Sequence, residues 1–182
     1  MPIVIGAKPE SSFADPIGLL TDCHRRIERF LSVLAQVSAQ AGGGPLTSEQ
    51  RTALEKALVY FREAAPKHTA DEEQTLFPRL RALDRPAVKA IMARVDALEK
   101  QHVKSEQNHA EIDRLGRDWL AAGSLSPADA TRLSALIAEL MELYKGHIAV
   151  EESEVFPVAE AELEKSEREA MGGEIAARRG LK

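Results

Sequence analysis

Aromatic residues are scarce, at 4% of the chain: five Phe, two Tyr and one Trp. Sheets favour aromatic and β-branched residues, so this shortage beside abundant Ala, Leu and Glu points to helix. A single cysteine, Cys23, excludes an internal disulfide and fits a reducing, cytoplasmic setting. No apolar run approaches the roughly 18 residues that a membrane span needs. A basic stretch leading into a long apolar core is also missing near residue 1, so no secretory signal is expected. The formal net charge is −5, which excludes a broad basic footprint for nucleic acid. What remains is ordinary for a globular protein: 182 residues, 44% hydrophobic and 29% charged. That is enough for one domain with a real core.

Against this plain background one stretch stands out. HTADEEQTLFP, residues 68–78, returns as HIAVEESEVFP, residues 147–157, with six of eleven positions identical. The repeated residues are the His, one Ala, both Glu, the Phe and the Pro. His68 with Glu72, and His147 with Glu151, are spaced by four, which on a helix sets both side chains on one face.

Apolar residues at three- and four-residue spacing predict four long helices. The first runs from about Asp15 to Gln40, with Asp15 as cap and Pro16 at its first position. Thr47 and Gln50 form a capping box for the second, which ends near Leu83 and bends where Pro66 and Pro78 interrupt it. Asp84 is the expected cap of the third, ending near Gly123. Ser126 and Pro127 open the fourth. A short C-terminal helix is expected over about Lys165 to Arg179, weakened by Gly172 and Gly173. Residues 1–14 read as an irregular arm and 15–182 as the domain. The fold class is all-α, an up-down-up-down four-helix bundle.

His24, His68, His102 and His147 each fall on the inward stripe of a different helix. Counted from the connecting turns, they lie about 17, 22, 20 and 22 residues away, so at about 1.5 Å per residue they meet at one level. His24 to His102 is 78 residues and His68 to His147 is 79, so the chain reads as two similar hairpins. A lone inward His is usually core. Four at one depth with two inward carboxylates are costly to bury without a metal. Four His and two Glu exceed one closed zinc site. Two metals bridged by Glu72 and Glu151 account for all six, and imidazole with carboxylate suits iron or another first-row metal.

The doubled H-x3-E-E-x2-[LV]-F-P pattern resembles the hemerythrin-like proteins, or HHE cation-binding domains, over about Asp15 to Leu163. The resemblance implies a four-helix bundle around two Fe ions, an oxo- or hydroxo-bridged di-iron centre. By position, the metal ligands it implies are His24, His68, Glu72, His102, His147 and Glu151, with both Glu bridging. This set is similar to that of bacterial iron-centre repair proteins. The oxygen carriers differ, having H-x3-H on their third helix where this chain has His102 and Glu106. Redox handling of a small diatomic ligand or peroxide is therefore expected ahead of reversible carriage. Binding or sensing without turnover, and iron storage, delivery or repair, are the alternatives. Glu28 and Glu106, each four residues after a His, read as solvated carboxylates or ones holding a ligand imidazole's outer N–H, with terminal metal ligation as the alternative. His109 and Tyr144 read as core neighbours one turn from the site, and Cys23 as packing. The ferritin-like alternative fits less well: its Glu-x-x-His spacing occurs here only on the third helix.

Overall fold

The computed structural model describes residues 11–181. Most of the expected arm therefore lies outside the described residues; residues 11–14 carry only a bend and a turn. The remainder is helical, with no strand among the described residues. The helices are α1 (Pro16–Ala41), α2 (Ser48–Glu63), α3 (Ala65–Asp71), α4 (Phe77–Ala82), α5 (Pro86–Ala122), α6 (Pro127–Val150), α7 (Phe156–Glu162) and α8 (Lys165–Arg178). Two π-helical turns, Glu72–Leu76 and Glu151–Val155, join α3 to α4 and α6 to α7. No helix among the described residues is long and apolar enough to cross a membrane.

Local chemistry sets most boundaries. The Asp15 carboxylate accepts from the Gly18 N–H at 3.0 Å, and Gly42, at φ 56°, closes α1. Thr47 and Gln50 exchange the two bonds of a capping box, at 3.2 and 2.9 Å. At α5 the expected cap is displaced. Pro86 drives the preceding residue into extended backbone, so Arg85 (φ −121°, ψ 137°) takes the cap position without a side-chain bond. Asp84 pairs with Lys89 instead.

The prolines do more than bend the second and fourth rods. Pro78 offers no N–H to the carbonyl four residues back, and its ring crowds that carbonyl. The ladder widens just before it: the Phe77 N–H reaches the Glu72 carbonyl, five residues away. Phe156 does the same to Glu151 ahead of Pro157. Such π-turns often mark functional positions, and here each one begins at a repeated Glu.

The rods close a ring, with α1 against α2 and α6, and α5 against α2 and α6. Two apolar clusters fill it. One includes Leu34, Leu54, Leu115, Trp119 and Leu136; the other includes Leu20, Phe77, Leu98, Phe156 and Met171. Along α1, His24 falls between Leu20 of the second cluster and Ile27 of the first. The polar layer is thus walled by hydrocarbon on both sides.

α8 lies outside that ring, across α1, α3 and the first π-turn. Gly172, expected to weaken it, has a packing role: a Cβ there would sit 1.9 Å from the Phe13 carbonyl oxygen. Glycine lets the N-terminal segment cross the helix. At the far end, Arg178 and Arg179 both bond Asp71, which is 0% exposed, and Arg178 also reaches Thr75 Oγ1 at 3.2 Å. Arg79 and Glu174 add a two-pronged pair at 2.6 and 3.2 Å.

Candidate metal centre

The structure brings His24, His68, Glu72, His102, His147 and Glu151 together, none more than 6% exposed. Their donor atoms form two groups, His24–His68–Glu72–Glu151 and Glu72–His102–His147–Glu151, each with all atoms within 4.8 Å of one another. Both carboxylates belong to both groups. Glu72 Oε1 lies 3.3 Å from His68 Nε2 and 3.8 Å from His24 Nε2, while its Oε2 lies 3.4 Å from His102 Nε2. Glu151 Oε2 lies 3.0 Å from His24 Nε2, and its Oε1 lies 3.0 Å from His147 Nε2. Each carboxylate therefore turns one oxygen to each pair of imidazoles.

These close approaches are badly aligned as hydrogen bonds. All four carboxylate oxygens and His24 Nε2 are buried without an acceptable partner. His102 Nε2 and His147 Nε2 face each other at 3.1 Å, a gap that holds one proton at most. Buried polar atoms that converge without bonding one another are costly in a purely protein core. A pair of cations held between the two carboxylates would satisfy all of them, so the donor set fits a dimetal centre.

The family model described as Hemerythrin HHE cation binding domain matches residues 15–159. The chain belongs to this family. It is also similar to an uncharacterized protein of Haemophilus influenzae, at 30% identity over 175 residues, covering 94% of each chain.

In this HHE chain, the second repeated Glu and the repeated Phe serve the opposite hairpin. Glu152 Oε1 lies 2.9 Å from His24 Nδ1, and Glu73 Oε1 lies 2.8 Å from His102 Nδ1. Phe156 stacks on His24 and Phe77 on His102, with ring planes 10° and 8° apart. Gln101 Oε1 accepts from His147 Nδ1 at 2.9 Å. Outer partners of this kind fix which ring nitrogen faces inward and strengthen it as a donor. Both the Glu and the Phe were visible as identities between the repeats; nothing in the spacing marked Gln101.

Glu28 and Glu106 are solvated carboxylates and hold no ligand imidazole. Glu28 is exposed and bonds Arg25 at 2.6 Å; Arg25 in turn grips Glu152. Glu106 is exposed, and Ser105 takes the inward place instead. From His102, an offset of three points inward on this helix and an offset of four does not. Cys23 is buried, as expected of packing.

The charges balance inside the layer. Burial pushes His24 down, but Glu151 and Glu72 outweigh it and raise the ring to about 10. His102 is raised to about 9 against the same burial, chiefly by Glu72 and then Glu73. Burial takes His68 down to about 4. Metal entry would displace any proton held on these rings, which rising pH favours.

His109 lies about two turns beyond His102 along α5, with Nε2 3.0 Å from Tyr144 Oη. Burial alone pushes it down from 6.5 to about 4. Between those values the unfolded chain binds a proton that the folded one refuses. Its contribution to stability is therefore intact above pH 6.5 and lost as pH falls towards 4. On acidification from pH 7 to 4, metal-free His109→Phe is expected to gain up to about 3 kcal/mol relative to the unmodified protein. Urea titrations across that range check it; a difference that does not change with pH rules it out.

Proposed function

We propose that the six side chains hold two iron ions and that this centre performs redox chemistry on small oxygen or nitrogen species. The observation that carries the reading is the shared pair of carboxylates, each with one oxygen towards each imidazole pair. In the same reading, the ring of rods is the up-down-up-down four-helix bundle of the HHE family, with α8 added to it. When bound, a pair of iron ions supplies one-electron steps at two adjacent centres. The chain's own part is to orient His24 and His102 through Glu152 and Glu73, and to wall the layer above and below with hydrocarbon. Carboxylate-bonded imidazoles and two anionic bridges stabilise a higher metal charge, favouring the oxidised state. Glu106, being exposed, adds no charge to the centre.

Reduced, iron-loaded protein exposed to air is therefore expected to oxidise without recovery on evacuation, followed by stopped-flow absorbance. A spectrum that forms in air, bleaches under vacuum and returns with air establishes reversible binding and overturns the redox reading.

A further inference from the structure

A cavity of about 250 Å³ opens between α2–α3 and α5 and ends on His102. Ser105 and Tyr144 line its inner part, with His109 held under Phe61 at a ring separation of 4.4 Å. Glu73, Gln74, Val103 and Glu106 line its outer part. Of the six candidate ligands only His102 lines it; His24, His68, Glu72, His147 and Glu151 do not.

The repeat shows why the opening is one-sided. Shifting by 78 or 79 residues replaces Ser105 with Ile27, His109 with Leu31, Ala65 with Tyr144 and Val103 with Arg25. Ile27 and Leu31 are packed core residues, and Arg25 is tied to Glu152. The chain repeats the donor set but not the way in.

The lining also sets the chemistry of an occupant. His109 Nε2 meets Tyr144 Oη, while His109 Nδ1 is buried without a partner. If the tyrosine donates, the Nδ1–H and the phenol lone pairs are left over. If the imidazole donates, the phenol O–H and the Nδ1 lone pair are left over. His109 Nδ1 is itself out of contact with solvent, so either way it is the Tyr144 phenol that offers the cavity a lone pair or an O–H. Ser105 Oγ, which donates to the His102 carbonyl at 2.9 Å, keeps its own lone pairs. An apolar diatomic leaves these groups unmet. Two carboxylates and no Lys or Arg line the cavity, which disfavours anions.

We propose that this cavity is a binding subsite for an uncharged hydroxylic small molecule, of the hydrogen peroxide class, opening onto the His102–His147 side of the centre alone. It rests on the dimetal reading for its purpose but not for its occupancy.

The test uses protein with ¹⁵N-labelled histidine, metal-free and zinc-loaded, zinc being redox-inert. Hydrogen peroxide and sodium azide are titrated separately while the imidazole resonances are followed. Peroxide is expected to shift His109 saturably in both forms, ahead of His24 and His68, and azide to leave it unmoved. Ala65→Phe fills the cavity and should weaken the peroxide response at least ten-fold; Ser105→Val serves if that variant does not fold. Glu106→Lys should admit azide. An equal azide response in the unmodified protein, an earlier shift at His24 or His68, or an unchanged response in a folded Ala65→Phe overturns the proposal. Failure of the dimetal reading appears separately, as zinc below two per chain, and the metal-free titration still decides the subsite.

Discussion

Glu151→Gln and Glu72→Gln are each expected to lower metal affinity by well over 100-fold and to empty both positions together. Changing an outer partner of a ligand already costs about 10- to 100-fold. Here the change falls on an atom pair shared by both donor groups. An amide is neutral and keeps only one oxygen, so it cannot repeat a bridge with an anionic oxygen on each side. His147→Ala removes one donor from one group, and its first effect should fall on that position. Glu152→Gln and Glu73→Gln act only through an imidazole and should stay near the 10-fold end. Glu28→Gln should keep full metal, because Glu28 is exposed and bonds Arg25. Elemental analysis after iron reconstitution, with circular dichroism to confirm the fold, reads the series. Two irons retained in Glu151→Gln at the unmodified affinity would remove the bridged centre.

Removing Arg178 and Arg179 together is expected to destabilise the protein by about 3–5 kcal/mol, the cost of leaving a buried charge unpaired. For a chain of this length that corresponds to a drop in Tm on the order of 10 °C. Asp71 is 0% exposed, and the two guanidiniums from α8 are its ion-pair partners. The repeat supplies the control: the position equivalent to Asp71 is Val150, and no Arg pair is needed there. Asp71→Val in the Arg178→Ala/Arg179→Ala background should therefore recover most of the loss. Thermal denaturation of the double and triple variants is the measurement. A triple variant no more stable than the double would mean that α8 is held mainly by its apolar contacts, such as Met171 and Ile175, and not by the buried charge.

Periodic features of this protein are legible in its sequence. The four inward His and the two His–Glu pairs depend only on helical spacing, and the structure gathers all six. Glu28 and Glu106 show where spacing runs out. An offset of four from a His is inward at the ends of α3 and α6, where a proline-driven π-turn begins at the Glu, and outward on α1 and α5, which run on as regular helix. The roles of Glu73, Glu152, Phe77 and Phe156 were present as identities between the repeats. Their targets lie across the bundle, which one-dimensional spacing does not encode. The docking of α8 depends on Asp71 and Thr75, two of the positions where the repeats differ, and a difference carries no direction of its own.

The crossing of partners between hairpins bears on how the chain reaches its native state. The His102–Glu73 contact spans 29 residues, whereas the His24–Glu152 contact spans 128. Loop-closure entropy makes the longer contact costlier by ~1.3 kcal/mol before any packing is gained. The His102 side can be organised within a central segment, while the His24 side waits until the two ends of the chain meet. Each donor group draws on both hairpins, so neither is complete in a half-collapsed chain. A metal held by these groups would therefore be captured only once both hairpins have met, and would staple the first rod to the last.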